Sequence, residues 1–321
     1  MVQVKWNSLK TALRYRVGVL SIATILAWGG ASTVAVATGT EQKTFASPEQ
    51  AVAALVSATR SGITAELINV LGPDGKQLVH SGDLIADEEA RDKFITAYGK
   101  RNKIVMDTSD KAILVIGEHE WPFPIPLVKQ DGAWHFDTQA GKEEILDRRI
   151  GRNELNAIEV CRAYVDAQHE YASKDRNGDG LLEYASKLMS SPGQHDGLYW
   201  PVNTGEPESP LGLLMARAQI EGYGTNATHD HKHKAYHGYY YRILTRQGKN
   251  APGGAYDYMA KRHMIGGFAL AAYPAQYGVS GVMTFLINQD GIVYQKDLGP
   301  DTTKIARRMT EFNPDTTWKT P

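Results

Sequence analysis

The hydrophobic period of this chain changes from helical to strand-like partway along and then does so a second time, a pattern that restricts the fold to helices packed on antiparallel sheet. Ser47-Pro48-Glu49-Gln50 combines an N-cap serine, a first-turn proline and a glutamine three residues after the cap. Ala51, Ala54, Leu55 and Ala58 then share one face, so a helix is expected to about Arg60, with a short one from Thr64 and a third after Ala86. Residues 104–106, 112–116, 125–128 and 133–136 are short β-rich runs, the last two joined by the hairpin pair Asp131-Gly132. The cycle then repeats. Gly141 to Arg152 reads as a charged connecting helix, and a long helix follows from about Glu154, with Ala157, Cys161, Tyr164, Gln168 and Tyr171 at near-helical spacing. A short helix around 184–189, a Gly-, Pro- and Ser-rich loop over 191–210, strands at 238–245, 267–272, 282–287 and 292–296, and a closing helix at 303–312 complete the pattern. The expected fold is α+β in two domains, 45–140 and 154–321, joined by 141–153, each with helices on an antiparallel sheet.

Residues 1–37 read as a signal peptide, with Lys5, Lys10, Arg14 and Arg16 ahead of an acid-free apolar run and a small-residue Ala35-Val36-Ala37 site. The uncharged stretch from Val17 approaches the roughly 20 residues that span a bilayer, so an uncleaved anchor is the alternative and the one expected route to a membrane. Cleavage would give a periplasmic or secreted protein. It leaves 31 basic against 36 acidic side chains, a net charge of −5, which argues against nucleic acid as a partner. A single cysteine, Cys161, has no intramolecular mate and reads as a small core residue, so stability must come from packing. No Gly-x-Ser-x-Gly elbow, His-Glu-x-x-His helix, phosphate loop or dinucleotide fingerprint occurs. That leans the reading away from an enzyme.

Four stretches carry candidate chemistry. Asp175-Arg176-Asn177-Gly178-Asp179-Gly180-Leu181-Leu182-Glu183 places oxygen side chains at positions one, three, five and nine of an EF-hand-like loop, with glycine at six. Asp175, Asn177, Asp179 and Glu183 are therefore candidate calcium ligands. Ser186 stands where a bidentate glutamate would complete such a loop, so weak structural binding is expected, and plain turn chemistry explains the same Asn-Gly and Asp-Gly pairs. His229, His231 and His233 would project to one side of a strand and could hold a transition metal; the polar, glycine-bearing surroundings equally suit an exposed loop. Tyr199 and Trp200, and His237 with Arg242 around a tyrosine run, are candidate ligand-binding residues, with core packing as the competing reading.

Several strings together carry a family resemblance: Gln168-His169-Glu170-Tyr171-Ala172, residues 175–184, Asp196-Gly197-Leu198-Tyr199-Trp200, Tyr236-His237-Gly238-Tyr239-Tyr240-Tyr241-Arg242, Met264-Ile265-Gly266-Gly267-Phe268-Ala269 and residues 281–299. In these the mature chain resembles an exported bacterial family known as domain of unknown function 2950. The order of a long helix over 157–171 and a sheet ending in 284–294 is also similar to the soluble part of type IV pilin-like proteins. It departs from them in lacking the hydrophobic assembly helix directly before the soluble one. The resemblance implies a soluble envelope protein acting as a binding or assembly-accessory module on an envelope protein or extracellular ligand. The alternative is a periplasmic metal-dependent hydrolase using the 229–237 histidines.

Overall fold

The computed structural model describes residues 42–176, 178–202, 208–221, 223 and 235–321. The expected signal segment lies outside them. Helix α1 (Pro48–Ser61) starts where Ser47 accepts a hydrogen bond from the Gln50 N–H and stops at Gly62 in the left-handed conformation. After α2 (Thr64–Leu71), a 3₁₀ turn (Pro73–Gly75) and α3 (Lys76–Val79), Asp83 caps α4 (Leu84–Lys100) by accepting from the Ala86 N–H. Five strands follow: β1 (Asn102–Thr108), β2 (Lys111–Ile116), β3 (Trp121–Pro122), β4 (Leu127–Gln130) and β5 (Ala133–Phe136). They form an antiparallel sheet in the order β1-β2-β4-β5, with β3 also on β2. Asp131 and Gly132 both adopt positive φ in the β4–β5 turn, the geometry expected for an Asp-Gly hairpin.

The expected connecting helix and long helix are one element, α5 (Thr138–Ala172), of 35 residues and about 52 Å. Beyond it come α6 (Gly212–Ile220), β6 (Tyr239–Leu244), β7 (Arg246–Gln247), β8 (Tyr256–Asp257), β9 (Met259–Ala260), β10 (His263–Met264), β11 (Ala269–Pro274), β12 (Met283–Asn288), β13 (Tyr294–Asp297), α7 (Thr302–Arg308) and β14 (Glu311–Phe312). Strands β13-β12-β11-β6 make an antiparallel sheet, and β14-β7-β8 a small one with a single short parallel pairing, β14 on β7. The helix expected at 184–189 is extended instead: the Tyr184 N–H bonds the Met264 carbonyl, and Met189 bridges to Tyr199. Among the described residues, no helix is long and apolar enough to cross a membrane.

Two hydrophobic cores result. One gathers Val52, Leu55, Leu67, Leu114, Ile125, Leu127 and Phe136; the other Tyr164, Tyr239, Tyr258, Phe268, Phe285, Leu286 and Phe312. Cys161 is fully buried in the second, where desolvation pushes its thiol up to about 12. The described residues nonetheless fall in one compact unit, because α5 serves both cores. Its first turns support the helical layer: Thr138 donates to the Leu71 carbonyl at 2.6 Å and Arg149 to the Gln77 and Leu78 carbonyls. Gly141 sits so close to Pro124 that a Cβ there would lie 2.5 Å from its carbonyl oxygen. At mid-helix, Asn153 donates to the Ser280 carbonyl, and one Glu154 carboxylate oxygen accepts from the Val282 and Met283 N–H groups, both at 2.9 Å. The last turns bury Cys161, Tyr164, Val165, Gln168 and Tyr171.

Glu154→Ala leaves the part-buried Val282 and Met283 N–H groups at the start of β12 without their acceptor, which costs about 1–3 kcal/mol. Urea unfolding followed by fluorescence should show a lower midpoint in a single transition, both cores failing together; two separated transitions would contradict the shared-helix account.

Candidate functional site

A cleft lies between α7, the β7–β14 pair and the C-terminal segment. It encloses about 580 Å³, with Leu286, Ile305, Met309 and Trp318 as apolar surfaces and Arg246, Lys304 and Arg308 as cations around them. Lys304 and Arg308 are four apart and so share a face of α7. Neither has an ion pair within the described residues, whereas Arg246 lies 3.7 Å from Glu311 and donates to Thr310 at 3.0 Å. Asp301 and Glu311 are the acidic lining groups. The Trp318 wall is fixed because Lys319 exchanges backbone hydrogen bonds with Gln295, and Lys296 sits 5.9 Å over the Trp318 ring. The other side is set by α7 itself, whose buried Thr302 donates to the Gly299 carbonyl.

Arg242 bears on this cleft from behind, donating to the Arg307 carbonyl at the end of α7. It positions the helix without lining the opening. Tyr199 and Trp200 are placed in the core: Trp200 is 2% exposed, stacks on His195 at 4.3 Å and lies 5.5 Å from the Arg176 guanidinium. His229, His231 and His233 lie outside the described residues, as does Asn177.

The other members of the candidate calcium loop are well placed. Both Asp175 carboxylate oxygens turn into the loop, accepting from the Gly178 N–H at 2.7 Å and the Gly180 N–H at 2.9 Å. Asp179 caps the Leu181 N–H with one oxygen. Asp179 and Glu183 converge on His263, a residue that spacing could not single out because it stands 80 positions beyond Glu183.

His237 belongs to a different cluster, at the seam between the two cores. Its Nε2 is 3.2 Å from a Glu221 oxygen, which also accepts from the Tyr236 hydroxyl. Its backbone takes φ +50°, unusual for a residue with a side chain, at the entry to β6. Buried Asp83 accepts from the Tyr223 hydroxyl and the Gly238 N–H, both at 2.8 Å, so one carboxylate ties the α4 cap to the C-terminal sheet. Gly238 is required there: φ is +74°, and a Cβ would meet the Asn153 amide at 2.5 Å. Burial and neighbouring carboxylates push the Tyr236 hydroxyl up to about 12, and burial lowers His237 below the ordinary imidazole value despite Glu221 and Asp83. This cluster is satisfied internally and reads as a junction.

A family model described as Protein of unknown function (DUF2950) matches residues 42–320. No curated protein and no solved structure matches the chain.

The lowered His237 pKa gives a signed pH dependence. Below about pH 6.5 the unfolded imidazole takes up a proton that the folded one, facing Glu221, Asp83, Arg217 and Glu89, resists. The histidine's contribution is complete above that pH and is lost as pH falls toward the folded value. Urea midpoints between pH 7.5 and 5 should drop more steeply for the wild type than for His237→Gln. Parallel curves would contradict the assignment.

Proposed function

The chain belongs to the DUF2950 family, whose description carries no activity, and we propose from its own geometry that it is an exported envelope protein serving as a binding or assembly-accessory module. The observation that carries this reading is the α7 cleft: its size falls in the range of small-molecule sites, and apolar walls beside two cations that have no ion pair among the described residues suit an anionic group on an apolar body. The packing of α5 on β11 and β12 supports a pilin-like shape for residues 154–321. The Asp175 loop would add a structural divalent cation, calcium where its ligands are the loop oxygens of Asp175, Asn177, Asp179 and Glu183 alone. Of the 229–237 histidines behind the metal-dependent hydrolase reading, the one among the described residues is His237, whose contact is with Glu221.

Titration with the apolar anion 1-anilinonaphthalene-8-sulfonate tests the cleft, with laurate as competitor. Saturable fluorescence displaced by laurate is expected, with affinity reduced at least about tenfold, or ~1.4 kcal/mol, in Lys304→Glu/Arg308→Glu. Equal binding by wild type and variant, at unchanged melting temperature, would remove the cleft from the reading.

A further inference from the structure

We propose that Asp179, Glu183 and His263 form a binding site for a borderline divalent ion of the zinc class, which clips the loop after α5 to the β9–β10 hairpin. The inference rests on the cation reading of the Asp175 loop but changes both its ligand set and its metal.

Among the described residues, the geometry singles out these three side chains. One ligand atom from each lies within 4.8 Å of the other two. His263 Nδ1 is 2.9 Å from a Glu183 oxygen and 3.6 Å from an Asp179 oxygen. Zinc takes nitrogen and oxygen ligands at 2.0–2.2 Å in a tetrahedron, which separates neighbouring ligands by about 3.3 Å. The two separations to His263 bracket that value, and the Asp179 and Glu183 oxygens lie within 4.8 Å of each other, so an ion could enter with rotations of the two carboxylates. Asp175 is not among the three converging groups; its two bonds to backbone N–H groups brace the loop that presents Asp179.

The hairpin presents His263 equally firmly. Lys261 and Arg262, the two turn residues, both hold positive φ although neither is glycine, and His263 pairs directly with Ala260. The Tyr184 N–H bonds the Met264 carbonyl at 2.8 Å, which fixes the residue after Glu183 against the residue after His263. The side chains of Asp179, Glu183 and His263 are 33%, 19% and 31% exposed. Solvent therefore reaches the site and water can fill the fourth position.

Ligand chemistry chooses the ion. Calcium prefers six to eight oxygen ligands, whereas imidazole with carboxylates suits zinc and its neighbours. With His263 neutral, the two carboxylates match a +2 charge. Binding through Nδ1 requires that nitrogen to be unprotonated, so affinity should fall at acid pH.

The test uses untagged protein stripped with EDTA, with ZnCl₂ or CaCl₂ added and binding followed by calorimetry and thermal melting. A His229→Ala/His231→Ala/His233→Ala background removes the other histidine-rich stretch. The proposal expects one zinc per chain in that background, a raised melting temperature, and affinity lowered at least about tenfold by either His263→Ala or Glu183→Gln. Both variants should keep the far-ultraviolet circular dichroism of the parent. Zinc binding that is abolished in the triple background, or that His263→Ala and Glu183→Gln leave intact, overturns it. A calcium shift insensitive to His263→Ala also overturns it while leaving the oxygen-only calcium reading standing. No shift with either ion removes both.

Discussion

The continuity of α5 is the constraint on which the rest of the structure depends. A helix of this length cannot bury one stripe against one partner; its early turns hydrogen-bond the helical layer of the first core, and its late turns lie against the second sheet. Between them, Asn153 and Glu154 supply polar contacts to the 280–283 segment in place of apolar ones. Such bonds contribute modestly when made and cost more when broken. They fix the rotation of the helix about its axis, which apolar contacts alone specify poorly. The Asp83 carboxylate repeats this logic beside the helix, holding the cap of one core and a strand entry of the other.

The candidate sites hang from this frame in different ways. The α7 cleft is built on residues 301–313, with Arg246 brought in by pairing of β7 with β14, Leu286 by β12, and Trp318 by the pairing of Lys319 with Gln295. The Asp179–Glu183–His263 group instead joins segments distant in sequence, whose register the Tyr184–Met264 bridge fixes. The first depends on local helix geometry, and the second on tertiary closure.

Much of the fold was legible in the sequence because its signals are local. The Ser47 cap, the Asp-Gly turn and the β-rich runs each specify structure within a few residues. The unity of α5 was harder to read: its charged first half serves one core and its second half another, so no single apolar stripe runs through it. The 184–189 stretch has a helix-like sequence, but its backbone bonds go to Met264 and Tyr199, partners that propensity cannot reveal. At the sites, Asp179 and Glu183 were visible from spacing, whereas His263 and Glu221 were not, since only chain topology brings them to their neighbours. Arg242 was visible as a charge in a tyrosine run, but its partner is a backbone carbonyl, which leaves no mark in side-chain patterns.

Cys161 gives the C-terminal core a built-in clock. Its thiol is fully covered and held protonated, so a thiol reagent in solution meets it only when the core opens. The rate at which the native chain becomes alkylated, set against the rate for the unfolded chain, therefore measures the opening equilibrium of this one region without any added label. Ligands or ions that tighten the core would slow the clock, and those that act elsewhere would leave it running at the same pace.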